Sequence, residues 1–248
     1  MKYREIEPNG FLSNFVKCFW YYETMGIDVQ HTILPDGYFD LIIEFVDGNL
    51  TKVKLTGIWT RPKDIQISKN TKFFAIRFKL LALEYIFRTP IKSILDMTIN
   101  LPESFWRIDE YHSDEFDKFV SEITNNLDAS IKFLKPIDRR KLKLFEIVYQ
   151  KKSTSVSEIS NSIFWSSRQI NRYFQSNFGI TFKEFLSIVR CNATYPEISN
   201  GNLNPNSDYF DQAHFIKEIK KYTGATPKAL SKNKNDRFLQ LSKMDERQ

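Results

Sequence analysis

The stretch STSVSEISNSIFWSSRQINRYFQSNFGITFKEF, residues 153–185, decides the fold of the C-terminal half, because part of it returns 45 residues later. Residues 166–174 (SSRQINRYF) align without a gap with residues 211–219 (DQAHFIKEI), and the apolar positions coincide. Three pairs further on keep the same offset: Gly179 and Gly224, Thr181 and Thr226, and Lys183 and Lys228. A gapless repeat of this length predicts one supersecondary unit that is used twice.

Both copies carry the signals of a helix start and a helix end. Ser166 and Gln169 have the spacing of a capping box, and Asp211 is an N-cap residue for the second copy. Gly179 and Gly224 follow the last apolar positions, where a left-handed residue commonly ends a helix. The repeat therefore predicts one helix in each copy.

A shorter helix is predicted just ahead of the first copy. Ser155 and Glu158 form another capping-box pattern, and Ile159 and Ile163 then fall on one face. Two short helices separated by a turn make a helix-turn-helix unit. The sequence therefore predicts such a unit between residues 155 and 179.

The second helix of this unit carries polar side chains at its start and on its outer face: Ser167, Arg168, Gln169, Asn171 and Arg172. In the major groove, arginine suits guanine, and glutamine or asparagine suits adenine. A recognition helix enters that groove with its N-terminal residues against the base edges. The pattern thus favours a DNA reader, and the alternative is a helical hairpin whose polar face only meets water.

The second copy contains a longer phrase, YFDQAHFxxExKxxTGxTP at residues 209–227. This phrase resembles the signature of AraC-type bacterial transcription regulators, whose DNA-binding domain contains two helix-turn-helix units. The resemblance covers about residues 135–230. It implies an all-α tandem helix-turn-helix domain at residues 136–248, with double-stranded DNA as partner and with RNA polymerase as a further partner if the protein is an activator.

The resemblance also implies which side chains meet DNA. Arg168, Asn171 and Arg172 would face bases in the first unit, with Ser167 and Gln169 beside them. The matching positions of the second unit are Gln212, Ala213, Ile216 and Lys217, and His214 belongs to the same predicted surface. The expected phosphate contacts are Lys183, Lys220, Lys221 and Lys228. Phosphate contacts would position the protein, and base contacts would specify the site.

Residues 191–208 (CNATYPEISNGNLNPNSD) depart from the family pattern, which has a long linker helix here and then the first helix of the second unit. Pro196, Gly201 and Pro205 predict an irregular connection with at most one short helical turn. The second helix-turn-helix is therefore expected to be atypical. This segment motivates a competing hypothesis, a ligand-binding or protein-interaction module whose DNA-binding domain has degenerated.

Charge is divided between the two halves of the chain. Residues 1–130 hold 15 Lys and Arg against 19 Asp and Glu, a net charge of −4. Residues 131–248 hold 21 against 11, a net charge of +10. An acidic half joined to a basic half is typical of a sensor attached to a polyanion binder.

Length and composition narrow the class of protein further. A chain of 248 residues predicts two domains. Two cysteines, Cys18 and Cys191, lie far apart in a Lys-rich chain, which favours a reducing cytoplasm over a disulfide scaffold. The start, MKYREIEPNG, has no signal-peptide pattern, and no apolar run approaches the length of about 18 residues that a membrane span needs. We therefore expect a cytoplasmic protein with no membrane partner.

Residues 1–107 are predicted to form a β-rich sensor domain, so the expected fold class is α+β with two domains. Residues 15–22, 38–46, 51–59 and 72–79 are rich in aromatic and β-branched side chains or alternate in polarity. Short strands at this spacing predict a small barrel or a double-sheet roll. The order is similar to the sensor domains that precede AraC-type DNA-binding domains. The aromatic interior either holds a small-molecule effector or is filled by its own side chains.

Catalytic signals are weak. The three histidines, His31, His112 and His214, are not paired at metal-ligand spacing, and the sequence has neither Gly-x-Ser-x-Gly nor a P-loop motif. Asp36, Asp40 and Glu44 form a candidate carboxylate cluster, although turns and strand edges commonly carry such residues for solubility. We therefore expect neither an enzyme nor a bound cofactor or metal.

Residues 108–135 are predicted to be a helical linker between the domains. One face of this helix collects Phe116, Phe119, Val120, Ile123 and Leu127. This stripe either packs on its own β-rich domain, which we favour, or forms the seam of a homodimer. Residues 137–151 then predict the first helix of the DNA-binding domain.

Overall fold

The computed structural model describes residues 2–133, 137–150, 155–204, 209, 211–233 and 237–241. The strands are β1 Lys2–Ile6, β2 Val16–Glu23, β3 Val29–Ile33, β4 Phe39–Val46, β5 Asn49–Thr56, β6 Lys63–Ile67, β7 Thr71–Phe78 and β8 Thr98–Leu101. The α-helices are α1 Phe116–Lys132, α2 Arg139–Tyr149, α3 Val156–Ile163, α4 Ser167–Phe178, α5 Phe182–Ser199, α6 Gln212–Thr223 and α7 Pro227–Leu230. A π-helical turn spans Leu83–Phe87, and short 3-10 segments span Gly10–Asn14, Lys92–Ile94, Phe105–Glu110 and Leu239–Leu241.

The strands form a six-stranded sheet in the order β1-β2-β7-β4-β5-β8 and a separate β3-β6 pair. Neighbouring strands pair antiparallel throughout. In β4, Phe39, Leu41, Ile43 and Phe45 are buried and the residues between them are partly exposed. This alternation follows from the two-residue period of a strand with one face on the core. The predicted α+β class, with a β-rich first region and an all-α second region, is confirmed.

Aromatic side chains fill the inner face of the large sheet. Phe45 and Phe74 lie 5.0 Å apart between ring centroids, and Phe74 contacts Phe116 of α1 at 5.3 Å. The apolar stripe of α1 consists of buried residues: Phe116, Phe119, Val120, Ile123 and Leu127. The stripe therefore packs on its own β-rich region, the alternative that we favoured, and it offers no exposed apolar seam.

The linker helix α5 corrects the prediction for residues 191–208. Residues 191–199 are helical, with Pro196 inside α5, so an irregular connection is wrong for this part. Proline removes one helical hydrogen bond and costs about 3 kcal/mol in a helix interior. Here Tyr195 and Ile198 are buried on either side of it, and each buried side chain contributes about 1.5–3 kcal/mol. Residues 200–204 contain no helix, and residues 205–208 with Pro205 lie outside the described residues.

The β-rich and helical regions share one hydrophobic core, and the loop of residues 34–37 lies at their junction. Tyr195 donates its hydroxyl to the Pro35 carbonyl at 2.9 Å, and Tyr149 donates to the Gly37 carbonyl at 2.9 Å. The Asn192 side chain donates to the Asp36 carbonyl at 3.2 Å. Three consecutive carbonyls of this loop are therefore bound by side chains of the helical region.

Candidate nucleic-acid interface

The first helix-turn-helix unit, α3 with α4, forms from the local signals that the sequence carries. Both reciprocal capping boxes are made, between Ser155 and Glu158 and between Ser166 and Gln169. Phe164 in the turn has a left-handed backbone with φ of 56°, and it is exposed. Apolar side chains buried on the two helices fix the way in which α3 and α4 cross. These side chains are Ile159, Ile163, Ile170, Phe174 and Phe178. The unit predicted between residues 155 and 179 is present.

The structure places the predicted base-facing residues of α4 at its N-terminal end and outer surface. Ser167, Arg168 and Arg172 are exposed. Gln169 is also exposed, but its side-chain oxygen accepts a hydrogen bond from the Ser166 amide at 2.8 Å. Asn171 is half-buried, and its Oδ1 accepts from the Phe182 amide at 3.1 Å. The side-chain oxygens of Gln169 and Asn171 are therefore already used as acceptors within the fold. The side chains of the two arginines, in contrast, are exposed to solvent.

Helix α6 repeats this arrangement in the second copy. The Asp211 side chain accepts from the His214 amide at 2.7 Å, and Gly224 ends the helix with φ of 71°. Phe215 and Ile219 are buried, as the repeat predicts. The predicted surface residues Gln212, Ala213, His214, Ile216 and Lys217 are exposed. Gln212 donates to the Leu203 carbonyl at 2.9 Å, and the His214 ring contacts the Tyr209 ring.

An ion pair between α5 and α6, here called the clamp, was not predicted from the sequence. The Arg190 guanidinium donates to both carboxylate oxygens of Glu218, at 3.1 and 2.8 Å. It also lies over the Tyr209 ring, 5.3 Å from the centroid. Bidentate arginine–carboxylate pairs are geometrically specific, so this clamp orients α6 on α5. Glu218 and Tyr209 belong to the signature phrase, but nothing in the sequence paired them with Arg190.

The predicted phosphate-contacting lysines are all on the surface. Lys183, Lys220, Lys221 and Lys228 are exposed. Lys221 donates to the Tyr222 hydroxyl at 3.0 Å, and this hydrogen bond raises the pKa of the Lys221 ammonium. Lys221 therefore carries its charge at neutral pH, next to the C-terminal end of α6.

The β-rich region contacts the C-terminal ends of α4 and α6. The Ile91 amide donates to the Asn177 carbonyl at 3.0 Å, and a Cβ placed on Gly179 would lie 3.3 Å from Lys92. A Cβ placed on Gly224 would lie 3.7 Å from Pro62 Cγ. The exposed N-terminal residues of both helices lie at the opposite ends from these contacts. Among the described residues, these contacts of the β-rich region therefore leave the predicted base-facing surface uncovered.

The three residues of the candidate carboxylate cluster, Asp36, Asp40 and Glu44, do not share one set of partners in the structure. Arg77 pairs with Asp40 at 3.1 Å and with Asp36 at 3.7 Å, whereas Glu44 pairs with Lys54. Burial raises the pKa of Asp36 to about 6, and the nearby Arg77 guanidinium opposes that shift. Two carboxylates that share one half-buried arginine form a structural ion-pair cluster.

Within the described residues, no group of three or more His, Cys, Asp or Glu side chains could hold a metal ion. Across the same residues, the helices are too short or too polar for one to span a membrane.

Residues 4–100 match a family described as a domain of unknown function, DUF6597. No curated protein matches the chain. Among solved structures, ToxT from Vibrio cholerae is similar at 9% identity and a TM-score of 0.41, over 92% of this chain and 97% of that chain. ToxT from Vibrio cholerae O395 bound to (E)-4-(8-methylnaphthalen-1-yl)but-3-enoic acid is similar at 9% identity and a TM-score of 0.43, over 97% and 98%. Unsaturated fatty acid bound ToxT from Vibrio cholerae strain SCE256 is similar at 10% identity and a TM-score of 0.37, over 93% and 94%.

Proposed function

We propose that this protein is a sequence-specific DNA-binding transcription regulator of the AraC type, located in the bacterial cytoplasm and controlled through its N-terminal region. One observation carries the proposal. Helix α4 is fully capped, is braced by α3, and presents Arg168 and Arg172 to solvent from the half of the chain that has a net charge of +10. This combines the geometry and the chemistry of a major-groove reader.

The two units contribute differently in this proposal. The first unit supplies most of the base discrimination, because its arginines donate to base edges. The second unit presents Ala213 and Ile216 where hydrogen-bonding side chains would be useful, and residues 200–204 contain no supporting helix. Its lysines, Lys217, Lys220 and Lys221, would contact phosphates. The operator would then have one strongly specified half and a weaker half about one helical turn away.

The proposal is tested by selection of duplex DNA from a random pool with the full chain. We expect one enriched motif with an informative half, and binding that weakens steeply as salt rises because phosphate contacts release counterions. A pool without enrichment at any salt concentration would favour the second candidate, a ligand-binding or protein-interaction module with a degenerate DNA-binding domain. The apolar surface positions of α6 motivate that candidate.

A further inference from the structure

A cavity of about 490 Å³ lies between α1, the π-helical turn Leu83–Phe87 and the 3-10 segment Phe105–Glu110. Apolar and aromatic side chains form most of its wall, among them Tyr85, Trp106 and Leu127. Its volume falls within the range of about 300–1,000 Å³ that is usual for small-molecule sites. The cavity lies beside the sheet and not within its aromatic-filled interior, so it differs from the interior site that the sequence left as one of two alternatives.

The backbone around this cavity is unusual at several positions. Arg88, Trp106 and Arg107 line the cavity with left-handed backbones, at φ values of 55°, 54° and 59°. Non-glycine residues adopt this conformation at an energetic cost, and such residues cluster at ligand sites. The neighbouring turn is π-helical, a form that also recurs at functional sites. Three strained residues and a π-turn therefore surround the same space.

The rim of the cavity is positively charged. Arg88 is exposed, and it belongs to none of the ion pairs between described residues. Arg107 pairs with Glu110 through its Nε at 2.7 Å, and no hydrogen bond between described residues uses the other N–H groups of its guanidinium. Two guanidinium groups thus stand against one carboxylate at the mouth of an apolar space. This charge favours a ligand that carries a single negative charge on an apolar body.

We propose that this cavity binds a small organic carboxylate with an aryl or alkyl body. The carboxylate accepts hydrogen bonds from the Arg88 guanidinium, with Arg107 adding positive potential, because arginine matches the planar geometry of a carboxylate. The apolar body lies against Trp106 and Leu127, which would shield it from water.

The π-turn connects this cavity with the recognition helix. Tyr85, in the cavity wall, accepts a hydrogen bond from the Asp138 amide at the start of α2, at 3.2 Å. The adjacent Glu84 accepts a hydrogen bond from the Tyr173 hydroxyl of α4 at 3.0 Å and pairs with Lys141 of α2. A ligand that shifts this turn therefore acts on α4 directly. This regulatory role rests on the proposed function, whereas ligand binding itself does not.

The binding test is isothermal titration calorimetry of the full chain with 4-phenylbutyrate and octanoate. The affinity for each acid is compared with the affinity for its neutral amide. Because the amide lacks the charge that Arg88 recognises, we expect each acid to bind about tenfold more tightly than its amide. The variant Arg88→Gln should reduce the affinity for the acids by about tenfold for the same reason. Arg4→Gln is the matched control, since it removes the same charge from an exposed pair with Asp117, and neither residue lines the cavity.

Three outcomes of this titration would contradict the proposed carboxylate site. Absence of binding by both acids, equal affinity for acid and amide, or equal losses in the Arg88 and Arg4 variants would each overturn the site. The comparison of acid with amide uses the unaltered chain, so it remains decisive if a variant fails to fold.

The link to α4 is tested by hydrogen exchange without DNA. Saturating acid should change the protection of the α4 amides, and Tyr173→Phe should abolish that change because the hydroxyl bonded to Glu84 is gone. Unchanged protection of α4 in the acid-bound chain would overturn the link. A chain that binds the acids but no DNA would refute the proposed function and keep the site, and DNA binding without acid binding would do the reverse.

Discussion

At the scale of single residues, the predicted base-facing side chains differ in what they already do within the fold. Gln169 accepts a hydrogen bond from the Ser166 amide, and Asn171 accepts one from the Phe182 amide. Arg168 and Arg172 are exposed, with their guanidinium groups in solvent. We therefore expect the arginines to carry more of the base discrimination than the two amides.

Arg172→Ala should cost about 1–3 kcal/mol of binding free energy on the preferred DNA site, because one base-directed guanidinium is lost. The loss on a scrambled duplex should be smaller, since that duplex offers no matched base. Fluorescence anisotropy on both duplexes measures the difference. Arg139→Ala removes the same charge from the exposed start of α2 and should weaken both duplexes equally. Equal losses on both duplexes for the Arg172 variant would contradict its assignment as a base reader.

At the scale of elements, α5 supports both helices of the sequence repeat, α4 and α6. Its first turn is bonded to Asn171 of α4, and its Arg190 is clamped to Glu218 of α6. The helix stays intact through Pro196 because its buried face continues to Ile198. The spacing of α4 and α6 therefore depends on this one element.

Pro196→Ala should raise the free energy of unfolding by about 1 kcal/mol or more, because the new amide can donate to the Asn192 carbonyl. Pro196 is exposed, so the substitution leaves no cavity. Urea denaturation followed by circular dichroism measures the change. Ala193→Gly, one turn earlier in the same helix, should lower the free energy of unfolding by about 1 kcal/mol. A Pro196 variant that is less stable than the parent would show that the proline is favoured where it stands.

At the scale of the whole molecule, the loop of residues 34–37 joins the two regions. Gly37 has φ of +83°, and a Cβ there would lie 2.9 Å from Val189 Cγ2 and 3.3 Å from the Phe185 ring. Only glycine fits both this backbone and this close approach. The helical region is therefore packed against the β-rich region through a contact that tolerates no side chain.

Gly37→Ala should destabilise the protein by about 1–3 kcal/mol more than Gly26→Ala. Both glycines have positive φ, but a Cβ on Gly26 meets nothing within 4 Å, so the comparison isolates the packing between regions. Thermal or urea unfolding of the two variants gives the difference. Adding Val189→Ala to Gly37→Ala should recover part of the loss, and equal destabilisation by both glycine variants would exclude a packing effect.

Local signals determined much of the helical region. Capping residues fixed the ends of the helices, because a cap is satisfied by residues within one turn. These are the capping boxes at Ser155 and Ser166 and the C-terminal glycines Gly179 and Gly224. The two-residue alternation in β4 determined which side chains of that strand are buried. The sequence also determined the charge of each half, on which the proposal of an anionic partner rests.

Tertiary structure decided what depends on residues far apart in the chain. Pro196 stands in a helix because Tyr195 is buried beside it and donates to Pro35, a contact across 160 positions. The clamp between Arg190 and Glu218 and the cavity beside Arg88 likewise form only when separate elements pack together. No local pattern predicts such contacts, because burial and long-range pairing outweigh the propensity of a single residue.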